Sequence, residues 1–400
     1  MTSFTSNMLP TIGYIVKIFP KLSETFILQE ILELERLGFN LVILSLRPPS
    51  DANTHPHFHQ LKAPVVYAPV LLDEGNDNVA QQSLWSSWVS EKVQEYNIRH
   101  LHAHYVTEST DIAVKVQANI GISYSFTTHA KDLFLSSKED LSRKVSNAKF
   151  VLTCTEYNKD YLEQIVQSDT PIYRVYHGVD LGVFKPKPQE VSCEDKTRPL
   201  ILSIGRFRPK KGFPILIQAC ASLKKFGHHF QCVLVGYGPL EHDLKQMIHQ
   251  FGVSDCVRLT GKLPQDGILN WFRQTSIFVL PCQIAEDGDR DGIPNVLVEA
   301  MSMGLPVVST AIASIPELIR DGHNGILAPP HHPESLAEAL GLLLQDPDRR
   351  RTLGIAARKT VEEDFCASRN VRVIYDNFKL ITSQAQKESL EPLLQRVPLL

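Results

Sequence analysis

Short runs of aliphatic and β-branched residues alternate along the chain with longer amphipathic stretches. The short runs are apolar at consecutive positions, which is typical of parallel-sheet strands covered on both faces. One amphipathic stretch runs from Phe26 to Leu37 with helical spacing and is followed by Gly38, a favoured helix-ending residue. The alternation predicts βαβ units and an α/β fold with open twisted sheets. Strands are predicted at residues 12–16, 41–46, 65–68, 123–127, 150–154, 172–176, 200–204, 231–235, 257–260, 277–280 and 307–310.

One polar segment interrupts this alternation. Residues 185–199 contain three prolines and have no hydrophobic periodicity, which indicates a linker. The pattern predicts two doubly wound, Rossmann-like domains with parallel sheets, at residues 1–184 and 200–366. A C-terminal helix and tail follow at 367–400, and the helical stretch 368–384 is expected to pack on one of the domains. Ligands of such sheets bind at the carboxyl ends of strands, so we expect a cleft that serves two substrates.

Composition narrows the class of protein. The 400 residues include 41 Lys and Arg against 44 Asp and Glu, a net charge of −3, which argues against a nucleic-acid-binding protein. Seven cysteines without a C-x-x-C pair are typical of reduced thiols rather than of disulfides or zinc. Neither a secretory signal nor an apolar stretch of membrane-spanning length is recognised. We therefore expect a cytoplasmic protein, at most peripheral to the inner face of the plasma membrane.

An acidic loop followed by a helix is the segment richest in chemistry. Residues 285–292 carry alternating aspartates, Pro294 fits a first helical turn, and Gly304 fits a helix end. The amides around Ile293, Asn295 and Val296 would then point out of a helix N-terminus, where phosphate binds.

Three ligand chemistries compete for this loop, beside a simple solvated loop and capped helix. The spacing of Asp287, Asp289 and Asp291 matches half of an EF-hand, but Val298 stands where a bidentate glutamate is required. A D-x-D motif could hold a divalent ion against a nucleotide diphosphate. In the third alternative no metal is bound: the helix N-terminus holds a diphosphate, and Asp291 and Glu299 accept hydrogen bonds from hydroxyls.

A basic turn follows the first strand of the second half. Arg206, Arg208, Lys210 and Lys211 precede Gly212, a composition suited to a diphosphate or to a solvated turn. The turn lacks the P-loop pattern, so ATP hydrolysis is not indicated. After the next strand, the G-x-G pair Gly236 and Gly238 permits a tight turn near a ligand or simply a turn.

Histidines and a polar loop mark the first half. His102, His104 and His129 lie near predicted strand ends, where they could bind a substrate hydroxyl or serve as structural residues, and no complete tetrahedral metal set accompanies them. The loop 19–26 precedes the first helix, and Ser23 is either its N-cap or part of an acceptor site.

These segments together resemble the retaining glycosyltransferases of family 4, over roughly residues 12 to 380, with the exopolysaccharide and colanic-acid branch the nearest in kind. The motifs that carry the resemblance are Gly205-Arg206, Lys211-Gly212, Gly236-x-Gly238-Pro239, Gly292-Ile-Pro-Asn295, Glu299-Ala-Met-x-x-Gly-x-Pro-Val-Val308, Phe19 to Ile27, His102-Ala-His104 and His129-Ala-Lys-Asp132.

The resemblance implies a GT-B fold and an enzyme that moves a hexose from a UDP- or GDP-sugar to a glycan or lipid-linked saccharide, with retention and without a metal or other cofactor. It assigns His129, Asp291 and Glu299 to the reacting centre: His129 contacts the donor sugar, Asp291 stands where the family has glutamate, and Glu299 holds the ribose. Two alternatives remain, a nucleotide-sugar epimerase of the same fold and a binding protein without turnover. The remaining donor residues are Arg206, Lys211, Gly236, Gly238, Gly292, Ile293, Pro294, Asn295 and Val296, and the acceptor-side residues are Ser23, Glu24, Thr25 and His104.

Overall fold

The computed structural model describes residues 9–21, 24–49, 56–70, 78–186 and 198–394. Ser23 and most of the predicted linker lie outside these residues. The chain forms two compact units, the first comprising Met1–Gly178 and Ala367–Leu400 and the second Val179–Cys366. Each unit contains a parallel sheet between helices.

The strands are all paired in parallel. In chain order they are β1 (Thr11–Ile18), β2 (Asn40–Arg47), β3 (Val65–Tyr67), β4 (Ile98–His104), β5 (Tyr124–Thr128), β6 (Val151–Thr153), β7 (Ile172–Arg174), β8 (Leu200–Ile204), β9 (Gln231–Val235), β10 (Val257–Leu259), β11 (Ile277–Leu280), β12 (Val307–Thr310) and β13 (Ile326–Ala328).

The helices connect successive strands, as parallel pairing requires. They are α1 (Thr25–Arg36), α2 (Asn78–Glu95), α3 (Glu108–Ile120), α4 (Ala130–Phe134), α5 (Lys138–Ser146), α6 (Glu156–Ile165), α7 (Phe213–Lys225), α8 (Glu241–Gln250), α9 (Gln265–Phe272), α10 (Asn295–Ser302), α11 (Ile315–Leu318), α12 (Pro333–Gln345), α13 (Pro347–Asp364) and α14 (Ala367–Leu394).

The first unit has a seven-stranded sheet in the order β3-β2-β1-β4-β5-β6-β7. The order reverses direction at β1 and β4, which is the switch point where ligands bind in such sheets. The C-terminal helix α14 belongs to this unit and packs against α1 and β4. Its Phe378 is fully buried, with its ring 5.3 Å from that of His102 and 6.2 Å from that of Tyr14. The histidines of β4 therefore lie beneath a helix that comes from the far end of the chain.

The second unit has a six-stranded sheet in the order β10-β9-β8-β11-β12-β13, with its switch point between β8 and β11. The predicted α/β class and parallel sheets are confirmed in both units. Two strands were absent from the sequence prediction, β4 and β13. Strand β4 reads Ile-Arg-His-Leu-His-Ala-His, so its three histidines conceal the apolar run by which the other strands are recognised.

Candidate active site

The basic turn after β8 lies directly against the loop that follows β11 in the second unit. The backbone amide of Gln283 donates to the carbonyl of Lys210 at 2.8 Å. Gly212 has a φ of +67°, and a Cβ there would lie 1.7 Å from the carbonyl oxygen of Pro281. Only glycine permits this approach, because any side chain would collide with backbone. The turn therefore places its two lysines beside the acidic loop.

Two lysines and two aspartates form a compact ionic cluster at this contact. Lys211 Nζ lies 2.6 Å from Asp291 Oδ2, and Lys210 Nζ lies 3.3 Å from Asp291 Oδ1 and 2.9 Å from Asp289 Oδ1. All four side chains are only 11–15% exposed, so solvent screens them weakly. Both Asp291 oxygens thus face ammonium groups. The loop's carboxylates are neutralised by lysines, an arrangement unlike the oxygen cage of a calcium site.

The cluster shifts the pKa values of Asp291 and Lys211 toward their charged forms. Burial opposes the charge of Asp291, but the two lysines outweigh it and lower the pKa of that carboxyl. Burial likewise opposes the charge of Lys211, and the Asp291 carboxylate more than compensates, so the pKa of the ammonium is raised. The exposed Arg206 adds a further positive charge near Lys211. The turn therefore stays cationic at any physiological pH.

Helix α10 begins beside this cluster, with Pro294 as its N-cap and Asn295 as its first residue. Pro294 thus precedes the first turn by one residue, whereas the sequence pattern had placed it inside that turn. Gly292, Ile293 and Val296 are all half-buried at this helix start. The free amides of a first turn carry partial positive charge and suit phosphate oxygens.

Glu299 lies one turn further along α10 and is half-buried. Among the residues that the structure describes, none is recorded as a hydrogen-bond partner of its carboxylate. Burial raises the pKa of this group from 4.5 to about 7. A desolvated carboxylate of this kind can gain hydrogen bonds from the hydroxyls of a ligand.

The two glycines after β9 have mainly a packing role. A Cβ on Gly236 would lie 1.9 Å from the carbonyl oxygen of Gly205, and one on Gly238 would lie 2.7 Å from that of Phe207. The amide of Phe207 donates to the carbonyl of Tyr237 at 2.8 Å, which ties the two turns together. These glycines hold the basic turn in place, and a direct contact with donor stays a prediction.

In the first unit, His129 is the N-cap of α4 and forms a capping box with Asp132. The Asp132 carboxylate accepts from the His129 amide at 2.9 Å and from the Val106 amide at 2.7 Å. Nε2 of the His129 ring is buried without a hydrogen-bond partner among the described residues.

Burial, followed by the neighbouring His177, lowers the pKa of His129 well below 6.5. The ring is therefore neutral at pH 7. Its buried Nε2 is available for a hydrogen bond with a sugar hydroxyl.

The other histidines form a hydrogen-bonded ladder between β4 and β5. His100 binds the hydroxyls of Ser123 and Ser125, each at 2.8 Å, and His102 binds those of Ser125 at 2.8 Å and Thr127 at 3.0 Å. Both ring nitrogens of each histidine are therefore occupied, which explains how a strand rich in histidine can be buried.

His104, assigned to the acceptor side, is fully buried and directed toward α1. Its Nε2 lies 3.2 Å from Glu30 Oε1, an oxygen that also accepts from the Tyr14 hydroxyl at 2.8 Å. Glu30 lines a small cavity together with Phe26, Thr127 and His177. The structure thus places His104 within a buried network, one layer behind His129, whose ring is 5.8 Å away.

The acceptor loop is described only in part. Thr25 is the first residue of α1, with Glu24 as its N-cap, and Glu24 forms an ion pair with Lys21. Ser23 lies outside the described residues, so its predicted capping or acceptor role remains a prediction.

Several residues that the sequence did not single out surround the predicted ones. Tyr105 follows β4 with a φ of +72°, a strained conformation for a bulky residue. Its ring lies 4.5 Å from that of His129, and its hydroxyl bonds Glu24. Burial, then the Glu24 charge, raises the pKa of the Tyr105 phenol. Asp132 orients His129. The motifs H-A-H-Y and H-A-K-D contained Tyr105 and Asp132, but only the fold reveals their partners.

The second half of the chain matches a known protein family. A family model described as glycosyl transferases group 1 matches residues 185–360. The chain is 30% identical over 388 residues to the amylovoran biosynthesis glycosyltransferase AmsK of Erwinia amylovora, with 87% of this chain and 94% of that protein covered. It is 28% identical over 395 residues to the putative colanic acid biosynthesis glycosyltransferase WcaL of Escherichia coli (strain K12), with 88% and 96% covered.

Solved structures are similar in fold over most of the chain. Anabaena HepE, in complex with UDP and glucose, has a TM-score of 0.75 at 18% identity and covers 92% of this chain and 98% of its own. The sucrose-phosphate synthase of Thermosynechococcus elongatus has a TM-score of 0.74 at 18% identity, covering 96% and 100%. Among the helices that the structure describes, none combines the length and apolar character that crossing a membrane requires.

Proposed function

The chain belongs to the group 1 family of glycosyl transferases and has the GT-B fold, and from that premise we propose that it transfers a hexose from a nucleoside-diphosphate sugar to a saccharide hydroxyl, with retention, in the synthesis of an exopolysaccharide. The relatives named for amylovoran and colanic acid biosynthesis support the polymer class. The acceptor in this proposal is a glycan or a lipid-linked oligosaccharide.

One observation carries the donor half of the proposal. Lys211 and the exposed Arg206 follow β8, and α10 follows β11, the strand paired with β8, so all three lie toward the carboxyl edge of the second sheet. The bond from the anomeric carbon to the diphosphate oxygen breaks as negative charge accumulates on the leaving phosphate. Fixed cations and amide dipoles stabilise that charge without rearrangement during the reaction. Because lysines already occupy the loop carboxylates, we propose that these cations stabilise the leaving group without a divalent metal.

The remaining assignments follow from the chemistry of each side chain. The Glu299 carboxylate accepts hydrogen bonds from the ribose, which relieves its desolvation. Neutral His129 forms a hydrogen bond through Nε2 with a sugar hydroxyl. Glu24 and Tyr105 contact the acceptor at the carboxyl edge of the first sheet. No side chain is assigned as a covalent nucleophile, so we propose that the acceptor hydroxyl attacks on the face that the diphosphate leaves.

A panel of UDP- and GDP-sugars tests the proposal. Wild-type protein should bind at least one donor and transfer its sugar to a saccharide acceptor. The NMR signal of the anomeric proton in the product should show the same anomeric configuration as the donor. Conversion of the free sugar nucleotide without an acceptor would instead identify an epimerase. Activity that persists after treatment with EDTA is expected, and loss that a divalent ion restores would contradict the metal-free mechanism.

A matched pair of variants tests the site. Lys211→Met should weaken donor binding at least tenfold, because it removes the cation nearest the leaving diphosphate. Arg208→Met removes an exposed charge from the same turn and should leave donor affinity within twofold. Equal effects of the two substitutions would show that the turn contributes only general electrostatic attraction.

A further inference from the structure

The ionic cluster of the second unit contains one carboxylate that the proposed reaction does not use. Among the described residues, the Asp289 carboxylate is paired with Lys210, at 2.9 Å, and Lys210 is shared with Asp291 at 3.3 Å. With two lysines and two aspartates, the cluster is electrically neutral. A diphosphate must therefore bind where positive charge is already balanced by protein carboxylates.

Asp289 is fixed in this position by its own backbone. Its amide donates to Asp287 Oδ1 at 3.0 Å, and its carbonyl accepts from the Ala285 amide at 2.9 Å. The residue is 8% exposed. Both peptide groups are thus bonded and the side chain is covered, so the Asp289 carboxylate lies inside the cluster rather than in solvent.

A bound diphosphate would compete with Asp291 for the lysines. Lys211 would turn from Asp291 to the phosphates, and Lys210 would then be the ammonium that remains close to Asp291. Lys210 would then be drawn more strongly to Asp291, and Asp289 would keep less of the positive charge that balances it. A buried carboxylate with reduced compensation lies near the bound phosphates, and it repels them with a strength that grows with their charge.

Donor and product differ in that charge. In a nucleoside-diphosphate sugar each phosphate carries one negative charge, because the sugar esterifies the terminal phosphate. After transfer, the terminal phosphate of the nucleoside diphosphate gains a second ionisable oxygen, and phosphates of this kind have a second pKa of about 6. Repulsion by Asp289 therefore acts more strongly on the product than on the donor above that pH.

We propose that Asp289 is a positioning and specificity residue that weakens binding of the nucleoside-diphosphate product relative to the sugar donor and so speeds product release. This inference rests on the proposed function, because it requires a diphosphate at the cluster. The proposal explains why the Asp289 carboxylate lies where it opposes the binding of an anionic substrate.

The test compares Asp289→Asn with wild type by isothermal titration calorimetry at pH 8, using UDP, GDP and ADP beside UDP-glucose, GDP-mannose and ADP-glucose. A unit charge roughly 8 Å from another changes affinity roughly fivefold at an effective dielectric constant of about 40. The variant should therefore favour the nucleoside diphosphate over the matching sugar donor roughly fivefold more than wild type does, because the product carries one more negative charge. At pH 5.5, where most of the terminal phosphate has lost its second charge, the difference between the two ligands should shrink.

Two further variants separate charge from structure. Glu286→Gln removes an exposed acid from the same loop and should change neither affinity by more than about twofold, because solvent screens that charge. The double variant Lys210→Met with Asp289→Asn restores a neutral cluster and should return both affinities toward the wild-type values.

The outcomes are distinct. Unchanged product affinity in Asp289→Asn, or equal tightening of product and donor at pH 8, would overturn the role of Asp289. If wild type binds none of the six ligands, the proposed function itself fails. Selective tightening toward the product, together with stronger product inhibition during turnover, supports the inference.

Discussion

Glu299 gives the most direct quantitative prediction, because its environment favours the uncharged form. Its pKa in the folded protein is about 7, against 4.5 for an unperturbed glutamate, and burial is the cause. Between these two values the folded state binds more protons than the unfolded state. Stability contributed by this group is therefore present below pH 4.5 and is lost as the pH rises to about 7.

The magnitude follows from the difference between the two pKa values. A shift of 2.5 units, at about 1.4 kcal/mol per unit, corresponds to up to about 3 kcal/mol of unfolding free energy. Because Glu299 is only half-buried, this value is an upper bound. Glu299→Gln keeps the size of the side chain and removes the charge. It should therefore stabilise the ligand-free second unit at pH 8 by as much as about 3 kcal/mol and change its stability little at pH 5.

The chain offers a convenient probe for this measurement. Trp271 is the single tryptophan of the second unit, and Trp85 and Trp88 belong to the first. In a Trp85→Phe, Trp88→Phe background, urea unfolding followed by Trp271 fluorescence at several pH values reports on the second unit alone. If Glu299→Gln and its parent lose stability in parallel between pH 5 and pH 8, the assignment of a desolvated carboxylate is wrong.

Three more predictions concern the rest of the molecule. His100 and His102 have pKa values well below 6.5 because they are buried. Below pH 6, each should therefore lower the unfolding free energy of the first unit by about 1.4 kcal/mol per pH unit, measured by acid unfolding, and an unfolding free energy that does not change with pH would contradict their neutrality. Tyr105→Phe removes the hydroxyl that bonds Glu24 and should lower kcat/KM for the acceptor roughly tenfold while donor affinity, measured by calorimetry, stays unchanged. Gly212→Ala should destabilise the second unit by about 3 kcal/mol or more, since its Cβ would meet a carbonyl at 1.7 Å; Gly252→Ala, also at positive φ but in open space, should cost only about 1 kcal/mol. Equal losses in urea unfolding would refute the steric argument.

The strands show which parts of the fold the hydrophobic pattern can predict. Strands β8, β9, β11 and β12 begin and end where the pattern predicts, because each is a short, mainly apolar run that is buried almost throughout. Strand β4 escaped prediction because burial of its histidines depends on Ser123, Ser125 and Thr127, which lie more than twenty residues away. A polar strand can be recognised only when its partners are known.

The candidate site divides in the same way. The sequence identified the basic turn, the acidic loop and Glu299, since charge, glycine and proline at these spacings mark a strand end and a helix start. It could not reveal that Lys210 pairs with Asp289 across 79 residues, or that His104 turns inward to Glu30. These contacts depend on which loops the sheet order brings together.

The sequence alone therefore determined the local elements, the two parallel sheets and the residue types available at the carboxyl edges of the strands. Hydrophobic period and turn chemistry are properties of neighbouring residues, so they can be recognised without the fold. The tertiary structure decided which charges meet, which histidines are buried and which carboxylates are desolvated. Those properties depend on distances of a few ångströms between residues far apart in the chain, and electrostatic energies in a protein interior vary steeply over such distances.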